Sequence, residues 1–414
     1  MSNSALIEKG QQRIAWAGRR MPVVRAIAES WRQTQPLANT RIGACLHVTT
    51  ETANLVLALR TAGAEVALCG SNPLSTQDEV VEALNQLDGI HVFAKRGDVS
   101  GYYGSIAQVI NRKPDLVMDD GADLIKVLHA EHPHDLPRII AGTEETTTGV
   151  NRLRAMQEDQ ALRFPVIAVN QALTKHLFDN RYGTGQSTFD GILRATNVLV
   201  AGKTVVVVGY GWCGRGVARR AEGMGARVFV VEVDALRALE AVMDGYWVTD
   251  MRTAAREGDI FITVTGNTKA IGGEHFPLMK DGAMLCNSGH FNVEIDIDVL
   301  EEQGVKQSVG EYIDEYLLSN GRRIFVIAQG RLVNLVAAEG HPAEVMDMSF
   351  ANQALVLAWL VDESPSLDAV VYPVPAVIDQ KVARLKLEAM GIRLEQLSPE
   401  QIEYMNSWKA GTDA

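Results

Sequence analysis

Residues able to move protons stand just past short apolar runs in the first 150 positions. His47, Thr49 and Glu51 follow RIGACL, Asp119 and Asp120 close LVMDD, and Glu144 and Glu145 follow IIAGT. An imidazole and several carboxylates, once gathered, suit proton transfer and the binding of hydroxyl groups. Any one of them reads equally well as a helix cap or loop residue. The repetition of the pattern at several separate run ends is what points to a site. A second group is built of glycine. Gly209, Gly211 and Gly214 form GxGxxG directly after TVVVV, and Glu232 stands 23 positions beyond Gly209, after the next apolar run. Gly209 permits the tight turn, Gly211 lets the backbone approach a pyrophosphate, and Gly214 allows close helix–strand packing. The phosphates would rest on N–H groups at the helix start, with Glu232 on the adenosine ribose. A carboxylate there repels a 2′-phosphate, so the expected cofactor is NAD.

The elements that must hold these groups alternate. From residue 41, buried-strand runs (RIGACLHV, EVALCG, HVFAKRG) interleave with helical periods of 10–15 residues (ETANLVLALRTAGA, STQDEVVEALNQLDG, GYYGSIAQVINRKP). This alternation implies a parallel sheet wound on both faces, with ligands beyond the carboxyl ends of its strands. A second alternation starts near residue 202 and continues through DIFITVTGN (259–267) and GAMLCNSGH (282–290). The fold class expected is α/β, with two doubly wound Rossmann-like domains and a short C-terminal tail. The first, substrate-binding domain is discontinuous, 1–184 and 342–375. The NAD domain spans 185–341, and a helical tail occupies 376–414.

Composition narrows the class. The 414 residues carry a net charge of −12, which disfavours nonspecific nucleic-acid and anionic-membrane binding. Four cysteines without a CxxC pair make no disulfide framework and fit a reducing, cytoplasmic setting. The N-terminal residues do not read as a signal peptide, and no apolar run is long enough for a membrane span. No His, Cys and carboxylate spacing suggests a metal centre, and neither GxSxG nor a phosphate-binding P-loop occurs.

Nine collinear segments identify a resemblance: LHVTTETANL, SNPLSTQD, DDGADL, EETTTGV, TKHLFDNRYG, VVGYGWCGRG, GHFNVEID, GRLVNL and GHPAEVM. In this order, through most of the chain, they resemble the S-adenosylhomocysteine hydrolase family. The resemblance implies reversible hydrolysis of S-adenosyl-L-homocysteine to adenosine and L-homocysteine, with NAD as an internal redox cofactor. The ribose 3′-hydroxyl is oxidised, homocysteine is eliminated, water adds, and the ketone is reduced again. A thioether is a poor leaving group, and a neighbouring ketone that acidifies C4′–H removes that obstacle.

Residue roles follow from the resemblance. Lys175 and Asp179 handle the 3′-hydroxyl proton, with Asn180 orienting the lysine. A lysine serves as base only if its pKa falls, which burial and the cationic nicotinamide favour. His47, Asp120 and His290 are candidates for proton transfer at C4′ and C5′, the C4′ base remaining open among them. Glu145 binds ribose hydroxyls, and Thr49, Glu51, His341 and Met346 line the substrate. Thr146, Thr147, Thr148, Trp212, Cys213, Asn267 and Asn334 join the glycines and Glu232 around NAD, with Asn334 on the carboxamide. A homotetramer and the S-adenosylmethionine cycle belong to the same implication.

Two features depart from the family pattern. Thr184 stands where familiar members carry cysteine, and the chain ends MNSWKAGTDA, with Lys409 in place of a basic, aromatic tail that reaches NAD in a neighbouring subunit. The purine is legible in HVTTE: adenine presents an amino donor, which suits the Glu51 carboxylate, whereas hypoxanthine presents a carbonyl. The alternative is therefore an S-inosyl-L-homocysteine hydrolase. A dehydrogenase that releases its reduced cofactor and a noncatalytic nucleotide-binding relative are the competing classes. Hinges are expected near 181–188 and 341–346.

Overall fold

A computed structural model describes residues 3–409 and 411; residues 1, 2, 410 and 412–414, which include the end of the expected tail, lie outside them. Six strands form first: β1 (Arg41–Leu46), β2 (Glu65–Gly70), β3 (Ile90–Phe93), β4 (Leu116–Asp119), β5 (Ala141–Glu144) and β6 (Val166–Ala168). Most are buried almost end to end, as strands covered by helices on both faces must be. Leu46, Leu68 and Met118 face one apolar layer, and Cys45, Cys69 and Val117 face the other.

Eight further strands make a second sheet: β7 (Thr204–Val208), β8 (Arg227–Val231), β9 (Trp247–Val248), β10 (Ile260–Thr263), β11 (Ala283–Asn287), β12 (Gly304–Gly310), β13 (Ile313–Leu318) and β14 (Arg323–Ile327). The chain then supplies β15 (Val371–Pro373), which pairs parallel with β6. The sheet orders are β15-β6-β5-β4-β1-β2-β3 and β12-β13-β14-β11-β10-β7-β8-β9. The first is parallel throughout, and the second is parallel apart from β12 and β13. The fold is α/β, with two Rossmann-like sheets.

Each sheet has a point where the strand order reverses, between β1 and β4 and between β7 and β10. A doubly wound sheet opens a crevice at that point, beyond the carboxyl ends of its strands. His47 and Asp120 follow β1 and β4, and Gly209 and Val264 follow β7 and β10.

The sheets are joined through an irregular helix. Leu173–Lys175 runs into a π-helix, His176–Gly183, which continues as Thr184–Thr196. The amide of Thr184 donates to the carbonyl of Asp179, a five-residue step. The second passage enters Ala343–Glu363, a helix buried along most of its length.

The expected tail from 376 needs correction. Helix Ala376–Ala389 sends Ile378 and Val382 into the first core. Its Asp379 accepts the amides of Leu173 (2.7 Å) and Thr174 (2.9 Å), satisfying donors at a helix start. Continuously exposed chain begins only at Glu388, and the polar residues seen in sequence there do not mark off the packed helix from the exposed segment beyond it.

Candidate active site

At the first crevice, His47 is positioned by the loop after β2. Its Nδ1 lies 2.7 Å from Ser75 Oγ and 3.1 Å from Ser71 Oγ, while Nε2 points to Asp120 Oδ2 at 3.4 Å. Burial lowers the His47 pKa to about 4 against the pull of Asp120, so the ring is neutral near pH 7. His290, delivered from the second sheet, places Nδ1 3.7 Å from Asp120 Oδ1. The approach requires glycine at 121: a Cβ there would stand 2.3 Å from His290 Nε2, and Gly121 has φ +112°.

Carboxyl groups one residue earlier hold these loops. Asp119 accepts the amides of Asp120 (3.0 Å) and Ile125 (2.8 Å). Glu144 Oε1 accepts those of Gly121 (2.9 Å) and Thr146 (3.0 Å). Both are fully buried register neighbours across β4 and β5. Burial, with the neighbouring acidic charges, raises Asp119 to about 8 and Glu144 well above the usual range.

Lys175 is buried at the start of the connecting helix. Its Nζ donates to Asn180 Oδ1 (2.8 Å) and Asn170 Oδ1 (3.3 Å), and pairs with Asp179 (3.3 Å) and Glu145 (3.4 Å). Burial opposes its charge, but Asp179, Glu145 and Asp120 outweigh burial and raise the pKa. The lowered pKa that a base requires is therefore not set by burial here: Glu145 and Asp120, distant in sequence, join Asp179 four residues on. Burial also raises Glu145 to about 7, although Lys175 pulls it down, whereas Asp179 is held low against burial by Lys175 and His341. His341 Nδ1 is 2.5 Å from Asp179 Oδ1, and Ser349 Oγ donates to Oδ2 at 2.6 Å. Thr184 Oγ1 lies 3.2 Å from His341 Nε2 and 3.5 Å from Cys213 Sγ. Thr49 caps the helix Thr50–Thr61, whose first turn holds Glu51; burial raises the Glu51 pKa while Thr50 Oγ1 donates to it at 2.9 Å.

The second crevice is made largely of main chain. Gly209 has φ +102°, and a Cβ on Gly214 would lie 2.0 Å from the Gly209 oxygen. Gly211 has open space in front of it, with its nearest neighbour, Arg237 Nη1, 3.9 Å from such a Cβ. Glu232 accepts amides of Tyr210 (2.6 Å), Val233 (2.7 Å) and Asp234 (3.0 Å). Asn334 Nδ2 donates to Ser187 Oγ (3.1 Å), and its buried Oδ1 has no hydrogen-bond partner among the described residues. A glycine cradle that a Cβ would fill and an orphaned acceptor fit a dinucleotide with a carboxamide.

The two crevices open into one cleft of about 710 Å³. His47, Thr49, Glu51, Asp120, Glu145, Lys175, Asp179, Asn180, His290, His341 and Met346 line it, as do Thr146, Thr147, Thr148, Gly209, Gly211, Trp212, Cys213, Glu232, Asn267 and Asn334. Gly214 lies behind the wall, against Gly209. Trp212 stacks on His176, with centroids 5.1 Å apart. The fold also gathers one ligand atom each of His47, Asp120 and His290 within 4.8 Å, a grouping that chain spacing did not suggest.

Sequence reasoning missed several supporting groups. Gln353 Nε2 donates to Glu145 at 2.6 Å, and Asn170 bridges Lys175, Asn180 and Thr147. Glu294 accepts the amides of Thr265 and Gly266, both at 2.8 Å. The available signal for Gln353 was the polar set Asp347, Ser349, Asn352 and Gln353 inside a helix otherwise rich in apolar residues.

Two Rossmann-like sheets, a glycine-built dinucleotide cradle and a facing cluster of buried acids and bases define an NAD-dependent two-lobed enzyme. The family models matched are the S-adenosyl-L-homocysteine hydrolase NAD-binding domain, over residues 180–340, and S-adenosyl-L-homocysteine hydrolase, over 1–141. The chain belongs to the S-adenosyl-L-homocysteine hydrolase family. An adenosylhomocysteinase of Aquifex aeolicus is 58% identical over 410 residues, covering 99% of this chain and 98% of the relative. One of Saccharolobus solfataricus is 55% identical over 411 residues, with the same coverage. An S-inosyl-L-homocysteine hydrolase of Methanopyrus kandleri is 55% identical over 411 residues, covering 99% and 97%.

Proposed function

We propose that the chain catalyses the reversible hydrolysis of S-adenosyl-L-homocysteine to adenosine and L-homocysteine. The observation that carries this reading is the meeting of the two crevices, which sets Lys175 and the His47–Asp120–His290 group opposite the dinucleotide cradle. Bound NAD supplies a reversible two-electron acceptor for the ribose 3′ carbon.

The side chains do the rest. Glu145 and Gln353 fix the ribose hydroxyls, Glu145 through an oxygen with no hydrogen bond among the described residues. Lys175 takes the 3′-hydroxyl proton. Its carboxylate neighbours raise its pKa, and a cationic nicotinamide held by the facing cradle would supply the opposing charge that favours the free amine. Asp179 and Asn180 hold its ammonium in place. One of Asp120, neutral His47 and His290 removes the C4′ proton once C3′ is a ketone, and the group protonates the departing thiolate and activates the entering water. Glu51 accepts from the purine amino group, which favours adenosyl over inosyl substrate.

The domain limits we assign are 1–184 with 342–375 for substrate and 185–341 for NAD, with 376–389 added to the former because that helix packs on it. Lobe closure pivots near 181–188 and 341–346. We place the enzyme in the cytoplasm, as a homotetramer serving the S-adenosylmethionine cycle. Among the described residues no helix is long and apolar enough to cross a membrane.

The test is turnover of adenosyl- and inosylhomocysteine by purified protein, with thiol detection and cofactor absorbance followed together. Thiol release without accumulation of free reduced cofactor is expected. Stoichiometric reduced cofactor in solution would instead identify a conventional dehydrogenase, and no thiol release would favour a binding protein.

A further inference from the structure

The homocysteine part of the substrate ends in an α-carboxylate and an α-ammonium, both charged near neutral pH and both in need of partners once water is displaced. The cleft wall offers little to the carboxylate. Its lysine and arginine are Lys175, paired with Asp179 and Glu145, and Arg237, which stands at Gly211 in the dinucleotide end. The sulfur leaves C5′ beside the His47–Asp120–His290 group, so the amino-acid end runs outward past the residues flanking that group, Ser71 against His47 and Gly121 against His290. A cation and an anion stand side by side at that rim. Arg152, from helix Thr147–Glu158, donates through Nη1 to Asp123 Oδ1 (2.9 Å) and to the carbonyl of Gly121. Its guanidinium lies over the Phe291 ring, 5.5 Å from the centroid. Asp123 Oδ2 accepts from Tyr102 OH (3.0 Å), which also reaches the carbonyl of Ser71 (3.2 Å). The pair thus touches both the loop that holds His47 and the loop that carries Asp120. Nε and Nη2 of Arg152 make no hydrogen bond among the described residues, and the side chain is 29% exposed. Those two nitrogens form the edge of a guanidinium that grips a carboxylate bidentately. Each Asp123 oxygen keeps a second lone pair.

We propose that Arg152 and Asp123 form the subsite for the amino-acid end of the substrate, Arg152 taking the α-carboxylate on its Nε–Nη2 edge and Asp123 the α-ammonium. The two methylene groups between sulfur and α-carbon carry these charges from the proton-transfer group past Gly121 to the pair. A neighbouring cation and anion match a zwitterion better than a thiol bearing one charge, so the pair selects which thiol leaves and which may add in reverse. This assignment rests on the hydrolase reading.

The experiment runs the reaction in the synthetic direction on the NAD-loaded protein, following loss of free thiol. Adenosine is joined to L-homocysteine, to mercaptopropylamine, which lacks the carboxylate, or to mercaptobutyrate, which lacks the ammonium. Wild type should favour L-homocysteine over either analogue by about tenfold or more in kcat/KM, as hydrogen bonds to charged groups imply. Arg152→Ala should lower kcat/KM by about tenfold or more for L-homocysteine and mercaptobutyrate, chiefly through KM, and leave mercaptopropylamine near its wild-type value. Arg152→Lys keeps the charge without the fork and should recover part of the loss. Asp123→Asn should penalise L-homocysteine and mercaptopropylamine and spare mercaptobutyrate. Arg154→Ala, exposed on the same helix, should change nothing. Reduction of bound NAD by adenosine alone should keep its rate in every variant, because adenosine carries no amino-acid end. If Arg152→Ala does not fold, Arg152→Gln carries the test with the same expected loss. Equal loss for all three thiols, or slowed reduction of NAD, would make Arg152 a brace of the Gly121 loop and overturn the subsite. A wild type indifferent to the carboxylate overturns it as well, and Asp123→Asn that spares mercaptopropylamine overturns the ammonium half. In each of these cases thioether formation by the wild type leaves the hydrolase reading standing; no thioether from any thiol removes that reading, and the subsite with it.

Discussion

The two lobes place their ligand crevices at the same topological position and build them from different material. After β7 and β10 the wall is mostly backbone: Gly209 at positive φ, Gly214 pressed on Gly209, and Glu294 and Glu232 occupied with amides. After β1 and β4 the wall is side chain: His47, Asp120 and Glu145, braced by Asp119, Glu144 and Gln353. Backbone donors have no pKa to shift and fail only when their path is bent. Buried acids and bases depend on each other's charge, so each responds to loss of a neighbour. The first construction suits holding a cofactor through a cycle, and the second suits moving protons.

Four measurements would break or sharpen that contrast. The largest effect is expected for Lys175→Ala, which should slow 3′-oxidation by about 10²–10⁴-fold while NAD stays bound. Rapid-mixing absorbance of bound cofactor reads it, and an unchanged burst would remove Lys175 as the base. Next comes Gly214→Ala. Its Cβ would fall 2.0 Å from a backbone oxygen, and relieving such overpacking costs about 1–3 kcal/mol, or about 5–150-fold in NAD affinity. With NAD saturating, the oxidation rate should stay near wild type; equal losses in both would mean that the lobes are not separable in this way.

Glu51 gives a smaller change. An unpaired buried polar group costs about 1–3 kcal/mol, so the wild type should prefer the adenosyl substrate by about tenfold or more. Glu51→Gln should shrink that ratio and Glu51→Lys invert it, compared as kcat/KM on both substrates; an unmoved ratio would reduce Glu51 to a helix-start charge. The smallest is a pH limb. Glu145 sits at about 7 because burial outweighs Lys175, so it gains a proton below that pH and loses its carboxylate. The kcat/KM profile should fall on the acid side of pH 7, by about tenfold per unit. Glu145→Gln should flatten it, and NAD affinity should not follow the limb.

The α/β class was legible because buried parallel strands read as apolar runs and their helices as regular periods. The dinucleotide turn was legible because GxGxxG followed such a run. Partners distant in sequence were not. The Lys175 pKa depends on Glu145 and Asp120, and the cluster around Asp120 spans positions 47 to 290, so no local pattern carries either. Helix 376–389 looked like a tail because a few residues, Ile378, Val382 and the partly buried Leu385, anchor its apolar face, while Asp379, an acid by composition, is a cap. The π-helix was invisible for a related reason: its widened turn leaves no distinct composition.

That π-helix fixes the chain's phase. Lys175 meets Asp179 four residues on and Asn180 five residues on, both through one ammonium, because the wider turn brings both to the same side. Deleting one residue between 176 and 183 would restore an ordinary helix, whose turn of about 3.6 residues no longer brings groups four and five positions ahead of Lys175 to one ammonium. Either lobe could still fold, each with its own core, yet the ammonium would lose its simultaneous hold on Asp179 and Asn180. At this segment residue count acts as an angular setting, so insertions and deletions here should be far less tolerated than substitutions at its exposed positions, such as Phe178 and Tyr182.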